Sequence, residues 1–468
     1  MSTTGKIVAL EPNDTLDPKR SRDQFTWLIW LLAIYVVGLV VVAFFAFAAN
    51  SYFGVNVTQV LSANGFDPPE KVLNLQLYAV GHHYFGDFLL DYQWGGAGNP
   101  WTNPALAPDN YPSVTNVVFK FFALFPYRVA LWTFLTLSVP ALLSPFLLVV
   151  RRYRPAVAVL LVCLLGLLTY PVLVNLDRGN VETIMVPLYA GVALAMAYHR
   201  WAWAAACIAL AAMLKGYPIL LLLLLVPYRQ WRLCALALVG SAGASLAAFA
   251  LFPGSWTRTF DAFHTAVSVF GSSAQPTQFI TGNYSVTGCL MNIAQLFGRL
   301  GGNDALWLAG HPVVPGIVYL AAVTPVVLAR HILPLWVRLL AALSAPQLVV
   351  PVSFGYTTVY ALVLAGVFAA GAAADAPASL RSKRYALAFE DHAPEPLRIV
   401  GPTALVWAGL IAIVLTLLPA PWSANGGMSS LATIYEPLSL VAFVGVANVC
   451  LVRSLRLRRA DKLLATGG

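Results

Sequence analysis

The sequence predicts an all-α, polytopic membrane protein. Hydrophobic residues make up 59% of the 468 residues and charged residues only 10%, and the mean hydropathy is +0.75. This leaves too little polar surface to cover a soluble domain of the same length. The apolar residues form runs long enough to span a bilayer, and the basic residues lie mainly at the ends of these runs.

The two ends of the chain carry basic residues that set its orientation. An arginine-rich segment precedes residues 25–49, a run that is too long for a signal-peptide core. We therefore expect a retained first span whose N-terminal tail, residues 1–24, lies in the cytoplasm. The basic C-terminal tail, residues 453–468, is expected on the same side. Between the tails we predict a single transmembrane domain over residues 25–452.

The remaining spans follow from the charges at the ends of each apolar run, because basic loops stay in the cytoplasm. In chain order, the predicted spans are residues 25–49, 129–150, 156–174, 181–198, the interrupted run 201–226, 233–252, 313–329, 335–350, 356–373, 400–418 and 438–451. The outer loops at residues 50–112 and 253–312, and the segment 114–125, contain aromatic and apolar pieces that predict interfacial helices. Residues 374–399 form a basic cytoplasmic linker.

The run 201–226 is unusual because both of its flanks are basic. A single crossing would place one basic flank outside, whereas two half-length helices keep both flanks inside. Gly216 and Pro218 break a helix, so we predict a shortened hairpin with Lys215 at its apex, facing a cavity. A single tilted span is the alternative. Counting the hairpin as two crossings gives about 12 transmembrane helices.

The turn at residues 175–182 (Asn-Leu-Asp-Arg-Gly-Asn-Val-Glu) is the most informative part of the chain. It joins two apolar runs whose far ends are basic, so we expect the turn on the outer side of the membrane. Charged groups this close to a bilayer are costly and usually bind something. We therefore predict a ligand site at this turn.

Three side chains near this turn predict an anion site. Arg178 and Asn180 in the turn and Lys215 at the hairpin apex suit a lipid phosphate, because cationic groups bind phosphate strongly where water is excluded. The acidic residues Asp177 and Glu182 are expected to orient these cations. The alternative is a salt-bridge cluster that only closes the helix ends.

The first outer loop contains carboxylates that could act as a base. Asp87 and Asp91 are four residues apart, so on a helix they share one face, and either could deprotonate a hydroxyl nucleophile. The alternative is that both are solvated loop charges beside an interfacial belt of aromatics. The neighbouring His82 and His83 are adjacent and cannot readily share one tetrahedral metal site, so we expect no metal.

Charge and cysteine content exclude other classes of protein. The net charge is +9, but the basic residues lie in short loops beside apolar runs, which indicates membrane orientation and contact with anionic lipids rather than nucleic acid. Four of the five cysteines fall within apolar runs, which indicates neither a disulfide framework nor a metal site.

Five features of the sequence occur in an order that resembles a known family. They are Gly86-Asp87-Phe-Leu with Asn99-Pro100-Trp101, Asn110-Tyr-Pro-Ser113 with Phe125-Pro-Tyr-Arg-Val-Ala-Leu-Trp132, Asp177-Arg-Gly-Asn-Val-Glu182, Leu214-Lys-Gly-Tyr-Pro218 and Gly282-Asn-Tyr-Ser-Val-Thr-Gly288. Together they resemble glycosyltransferase family 87, whose members belong to the GT-C superfamily and use polyprenyl-phosphate sugars.

This resemblance implies a GT-C fold and a reaction. The expected donor is a polyprenyl-phosphate sugar, with mannose as the first candidate and another hexose or a pentose as alternatives. The expected acceptor is a hydroxyl of a glycolipid or glycan, and transfer inverts the anomeric carbon without a cofactor or metal. The expected location is a bacterial inner membrane, with the site on the periplasmic face.

The resemblance also assigns roles to residues of this sequence. A base is expected in the first outer loop, where Asp87 is the best positional match and Asp91 is the alternative. The residues expected to bind the donor phosphate are Lys215, Arg178, Asn180 and Tyr356. The residues expected to bind the acceptor or the sugar are His83, Trp94, Tyr111 and Asn283.

One stretch departs from the family pattern. The family often has Ser-Pro-x-Ser-Trp-x-His-His before a late span, whereas residues 350–358 read Val-Pro-Val-Ser-Phe-Gly-Tyr-Thr-Thr and contain no histidine. Tyr356 or Thr357 must take the place of that histidine, or the donor differs. Two other functions fit the sequence: a lipid or solute transporter or flippase, and a polysaccharide polymerase or ligase with a pyrophosphate-linked donor.

Overall fold

The computed structural model describes residues 23–53, 85–103, 109–270, 283–297, 307–308, 310–373, 375–382, 401–418 and 432–466. Within these ranges every regular element is helical, and one isolated β-bridge joins Tyr153 to Arg381. The α-helices are α1 (Asp23–Phe53), α2 (Gly86–Gly96), α3 (Ser113–Phe122), α4 (Tyr127–Leu143), α5 (Leu147–Arg152), α6 (Pro155–Val162), α7 (Tyr170–Arg178), α8 (Glu182–Ala197), α9 (Trp201–Leu214), α10 (Trp231–Ala248), α11 (Trp256–Phe270), α12 (Val286–Leu296), α13 (Val314–Leu328), α14 (Leu335–Val349), α15 (Tyr360–Ala372), α16 (Thr403–Leu417) and α17 (Ala432–Thr466).

The helices confirm a membrane protein. In the described part of the chain, five helical stretches are long and apolar enough to cross a bilayer, or six if one bent pair counts as a span. The five are Gln24–Phe44, Tyr127–Arg152, Trp231–Leu251, Gly355–Ala372 and Thr433–Ala460. Shorter apolar helices, among them α8, α9, α13, α14 and α16, lie beside them. The number of about 12 crossings stays a prediction.

The predicted helices of the outer loops are present where the structure describes them. The segment expected to be helical at 114–125 forms α3, and the second outer loop contains α11 and α12. One side of α3 is buried, whereas Phe121 is 54% exposed. These helices cover the end of the bundle to which α2 also belongs.

The predicted span 156–174 is a bent pair rather than one helix. The axes of Pro155–Leu167 and Tyr170–Arg178 differ by 61°. A π-helical turn at Cys163–Leu167 ends the first part, and Pro171 stands in the first turn of α7, where the missing N–H costs no hydrogen bond. The bend directs the C-terminal end of α7, with Arg178, towards α2.

The predicted hairpin in residues 201–226 is confirmed. Helix α9 ends at Leu214, Lys215 is extended, and the chain continues as 3₁₀ helices at Tyr217–Leu224 and Val226–Tyr228. The ring of Tyr228 lies 4.2 Å from that of Trp201, centroid to centroid. The two ends of the segment therefore meet, which excludes a single span, and Lys215 lies at the apex.

Helix α15 forms the centre of the bundle. Its residues are buried almost without exception, and a Cβ at Gly366 would lie 2.6 Å from the carbonyl oxygen of Pro145. At its C-terminal end, the Arg152 guanidinium donates to the Ala370 carbonyl at 2.6 Å. At its N-terminal end a 3₁₀ helix, Gly355–Val359, carries Tyr356. A rigid core helix thus connects the basic end of the bundle with the opposite end, where Tyr356 lies.

Helix α2 is fixed by close packing against α3. A Cβ added to Gly95 would lie 2.5 Å from the backbone of Phe119, so only glycine allows this approach. On the same helix, Phe88 is fully buried and contacts the rings of Phe119, Phe122 and Phe134 at 4.9–6.0 Å. This packing positions the carboxylates of α2.

Gly95→Ala is expected to lower stability by roughly 1–3 kcal/mol, because the added methyl group overlaps backbone atoms that cannot move away. The matched control is Gly96→Ala, whose Cβ would lie 3.7 Å from Ala123, an ordinary contact. Thermal melting of the purified proteins in one detergent measures both. Equal melting temperatures for the two variants would contradict the packing described here.

Candidate active site

A cavity of about 500 Å³ lies where six segments of the chain meet. These segments are α2, residues 110–112, the end of α7, the hairpin apex, α11 and residues 350–357. The lining residues are Asp87, Leu90, Asp91, Trp94, Asn110, Tyr111, Pro112, Arg178, Lys215, Gly216, Tyr217, Val267, Val350, Pro351, Val352, Ser353, Phe354, Tyr356 and Thr357. The cavity therefore combines a charged group of side chains with apolar walls.

The turn after α7 is shaped by a glycine. Gly179 adopts the left-handed conformation (φ 65°) that ends the helix, and its N–H donates to the Asn175 carbonyl. A Cβ there would lie 2.7 Å from the Cβ of Phe88. The N–H of Phe85 donates to the Asp177 carbonyl at 2.9 Å. The turn and the start of α2 are thus held directly against each other.

Both oxygens of Asp87 are bound by this turn. Arg178 forms an ion pair with one oxygen, and the side-chain amide of Asn180 donates to the other at 2.7 Å. The side chain of Asp87 is 14% exposed. Charge-assisted hydrogen bonds of this kind fix a carboxylate in orientation. Asp87 is therefore a preoriented carboxylate at the cavity wall.

Asn180 connects the anionic and cationic parts of the site. Its amide N–H₂ also lies 3.4 Å from the Tyr111 hydroxyl, and its oxygen accepts from Lys215 Nζ at 3.4 Å and from the Glu182 N–H at 3.0 Å. The side chain is fully buried. Because it bonds to four groups at once, Asn180 keeps Asp87 and Lys215 at a set separation.

Lys215 lies in a cage of aromatic rings. Its Nζ is 3.0 Å from Glu182 and lies 5.2, 5.8 and 4.9 Å from the ring centroids of Tyr111, Tyr217 and Tyr356. The Tyr217 hydroxyl also donates to Glu182. The ring faces stabilise the ammonium group electrostatically. The site therefore holds a buried cation that is stabilised by a carboxylate and by ring faces of the protein.

Asp91 differs from Asp87 in its surroundings. It is 2% exposed, and its Oδ2 has no hydrogen-bond partner among the described residues. Burial raises the pKa of Asp91 well above its usual range, and the nearby Asp109 and Asp87 raise it further, while Lys215 and Arg178 act in the opposite direction. The two carboxyl groups of α2 thus have distinct surroundings: both oxygens of Asp87 are bonded, whereas Asp91 is buried with one oxygen unbonded among the described residues.

Asp109 supports the cavity wall. It accepts hydrogen bonds from the Asn116 side chain and from the Tyr111 N–H, the latter at 2.8 Å. Burial raises the pKa of Asp109 to about 7, and these hydrogen bonds partly oppose that rise. Asp109 therefore holds Tyr111 beside the cavity. Asp109 is not among the site residues predicted from the sequence.

The residues expected to bind sugar have different positions. Trp94 and Tyr111 both line the cavity, with ring centroids 6.2 Å apart and planes nearly perpendicular. His83 lies outside the described residues. Asn283 is fully buried and is not among the lining residues.

The amide of Asn283 binds backbone instead of a ligand. It donates to the Pro351 carbonyl at 2.8 Å and accepts from the N–H groups of Ser285 and Ser353 at 3.0 and 2.9 Å. These bonds hold the segment 350–357 in place. In this structure Asn283 therefore supports the cavity wall, and its contact with a sugar stays a prediction.

The segment that departs from the family pattern does reach the site. Tyr356 and Thr357 both line the cavity, and the Tyr356 ring contacts Lys215. Tyr217 is a further cavity residue that is not among the site residues predicted from the sequence. Its position directly after the Lys215-Gly216 apex is the signal that could have indicated it.

Comparison with known families decides the assignment. The model of glycosyltransferase family 87 matches residues 110–351, just over half of the chain. This chain belongs to glycosyltransferase family 87. Together with its apolar helices, membership makes it a membrane glycosyltransferase and argues against the transporter alternative. No curated protein sequence matches the chain.

The matched segment of this family 87 protein includes part of the cavity. Tyr111, Arg178, Asn180 and Lys215 fall within it, whereas α2 precedes it and Tyr356 follows it. The carboxylates of α2 are thus connected to the matched segment by contacts in space, above all those from Arg178 and Asn180 to Asp87.

Gly179→Ala is expected to cost roughly 1–3 kcal/mol and to reduce transferase activity, because a left-handed alanine is strained and its Cβ overlaps Phe88. Gly98→Ala is the matched control: φ is +77° there, but the nearest atom to its Cβ is 3.6 Å away. Melting and activity per folded protein measure the difference. Full activity of the Gly179 variant would show that the turn geometry is dispensable.

Proposed function

We propose that this glycosyltransferase transfers a sugar from a polyprenyl-phosphate donor to a hydroxyl group of a glycolipid or glycan, with inversion at the anomeric carbon. The observation that carries the proposal is a carboxylate, Asp87, held by Arg178 and Asn180 beside a second cation, Lys215, in one cavity. This set contains a base and two positive groups for a phosphate. Mannose is the first candidate for the sugar.

Asp87 is the base in this proposal. It lines the cavity and its side chain is 14% exposed, so as a carboxylate it can accept a proton from an acceptor hydroxyl. Asp91 is the weaker candidate for a base, because burial favours its protonated form and a protonated carboxyl cannot accept the proton. The bonds from Arg178 and Asn180 orient Asp87 before the substrate arrives, which lowers the cost of reaching the transition state.

Charge is conserved through the reaction. The acceptor oxygen forms a bond to the anomeric carbon while the bond from that carbon to the phosphate oxygen breaks, and its electron pair stays on the phosphate. The acceptor proton moves to Asp87. As Asp87 loses its charge, the leaving phosphate gains one, so Arg178 exchanges one anion for another while Lys215 remains beside them as a second cation. The phosphate needs little acid assistance, which fits one essential carboxylate rather than the pair of a glycosidase.

The walls of the cavity suit a lipid-linked substrate. Leu90, Val267, Val350, Val352 and Phe354 give it apolar sides next to the charged group. An isoprenoid chain can bury its surface against such residues while its phosphate reaches the cations. A water-soluble nucleotide sugar would leave this apolar surface uncovered.

The position of the cavity supports a site on the outer face of a bacterial inner membrane. Helix α15 has Tyr356 near its start, at the cavity, and Ala370 near its end, against Arg152. The basic segment around Arg152 therefore lies at the opposite end of the bundle from the cavity. Basic segments face the cytoplasm, so the cavity faces the periplasm.

Asp87→Asn is expected to lower transfer at least 10²-fold while the protein still folds, because the amide keeps the size of the side chain but cannot take the proton. The assay supplies radiolabelled polyprenyl-monophosphate sugars and extracted membrane glycolipids to protein in nanodiscs. Pyrophosphate-linked donors in parallel reactions separate a polymerase-like activity. Retained turnover in the variant would remove Asp87 from the role of base.

Lys215→Met is expected to lower kcat/KM roughly 10- to 100-fold, the effect of losing one charged contact to the phosphate. The single variant leaves the carboxylate of Glu182 buried without its cation, which is costly in itself. The double variant with Glu182→Gln removes both charges and so measures the loss of the Lys215 charge without this cost. Lys120→Met is the control, since Lys120 also lies over an aromatic ring but outside the cavity. Wild-type kcat/KM in the double variant would contradict a role for Lys215.

A further inference from the structure

One polar group of the cavity has no part in the chemistry proposed above. Asp91 lies one helical turn after Asp87 on the same face of α2 and lines the cavity. It is 2% exposed, and among the described residues nothing bonds to its Oδ2. Buried polar atoms without a partner are rare in folded proteins, and in a cavity they indicate a ligand contact.

Burial raises the pKa of Asp91 and so favours its neutral form; the nearby carboxyl groups add to this effect, and the nearby cations oppose it. The groups that act on Asp91 from the surrounding elements are Asp87, Asp109, Tyr111, Tyr356, Arg178 and Lys215. The two cations among them already form ion pairs with other carboxylates, Arg178 with Asp87 and Lys215 with Glu182. A third ionised carboxylate in this small volume would be buried beside two others, which is costly.

A neutral carboxyl group offers what a sugar hydroxyl can bind. It has one O–H donor and an acceptor oxygen, whereas a carboxylate only accepts. Trp94 follows Asp91 by three residues on α2, and its ring is nearly perpendicular to that of Tyr111. Aromatic faces at the side of a cavity can stack on a sugar ring, and such a ring would present its hydroxyl groups to the neighbouring Asp91.

We propose that Asp91 is a neutral carboxyl group that donates a hydrogen bond to one hydroxyl of a sugar held against Trp94 and Tyr111, and so selects substrates that carry this hydroxyl. The proposal rests on the proposed function, since it assumes that sugars occupy this cavity. The hydroxyl belongs either to the transferred sugar or to the acceptor glycan, which have the same chemistry here. A site built to bond a hydroxyl discriminates strongly against the analogue that lacks it.

Two substitutions separate this role from that of a base. Asp91→Asn keeps a hydrogen-bond donor of the same shape, so transfer is expected to stay within about threefold of wild type, whereas Asp91→Leu is expected to lose roughly tenfold in kcat/KM. Tyr92→Phe is the control on α2, because it removes only an exposed hydrogen bond to the Phe125 carbonyl. Loss of transfer in Asp91→Asn as complete as in Asp87→Asn would overturn the proposal.

Deoxy substrates identify the hydroxyl and its source. The probes are polyprenyl-phosphate mannose and its monodeoxy analogues, with unmodified acceptor, and monodeoxy acceptors with unmodified donor. The analogue that lacks the selected hydroxyl is expected to lower the kcat/KM of the wild type roughly tenfold. The Asp91→Leu variant has already lost this hydrogen bond, so the same analogue is expected to lower its kcat/KM little further. If, for every donor and acceptor analogue, the loss caused by the analogue and the loss caused by Asp91→Leu simply added, the proposal would be overturned.

The pH dependence of transfer has a definite sign. Because the pKa of Asp91 is raised, its donor is present below that pKa and is lost as the pH rises through it. The kcat/KM of the wild type is therefore expected to fall at high pH. In Asp91→Asn, whose amide donates at any pH, this fall in kcat/KM at high pH is expected to be absent. A high-pH limb that is unchanged in Asp91→Asn would overturn the assignment.

Infrared spectroscopy tests the same point without turnover. The wild type at neutral pH is expected to show a protonated-carboxyl band that is missing from Asp91→Asn and present in Tyr92→Phe. In an Asp87→Asn background, which prevents transfer, this band is expected to shift when polyprenyl-phosphate mannose and acceptor glycolipid are added. A band that is absent, or that neither substrate shifts, overturns the proposal.

Absence of turnover with every monophosphate donor would instead contradict the proposed function, and the band would still report the state of Asp91.

Discussion

The contact between Asp87 and the Arg178-Gly179-Asn180 turn is the interaction on which the site depends. It joins α2, from the first outer loop, to the end of a bent helix pair, and these elements are about 90 residues apart in the chain. Gly179 permits it, because any side chain there would meet Phe88. The cavity exists because the helix ends that carry charge are brought to one end of the bundle.

The balance of charge follows from this contact. Arg178 and Lys215 are each paired with a carboxylate, so their charges are balanced within the site, which lowers the cost of burying them. In the proposed reaction Arg178 changes its anionic partner. The proton neutralises Asp87, and at the same time the leaving phosphate gains a negative charge. The pair of Lys215 with Glu182 stays in place, which lets the aromatic cage hold a fixed cation throughout.

Much of this arrangement could be predicted from the sequence. The charged turn, the Lys215 apex and the two aspartates of the first outer loop each lie between apolar runs, and the basic flanks predict which side they face. The pairing could not be predicted: from the sequence, Arg178 is expected to bind a phosphate with Asp177 and Glu182 as orienting groups, whereas in the structure Arg178 binds Asp87. Such contacts depend on the 61° bend and on the close approach at Gly95, which are properties of packing. For the same reason Asn283, which a motif alone would place against a ligand, supports a wall.

A cryo-electron microscopy structure of the protein with a bound polyprenyl-phosphate sugar would test the central claim most directly. The account predicts that the phosphate lies within hydrogen-bond distance of Arg178 and Lys215, with the anomeric carbon facing Asp87 across the space for an acceptor hydroxyl. A phosphate bound outside this cavity, or an anomeric carbon turned away from Asp87, would contradict it.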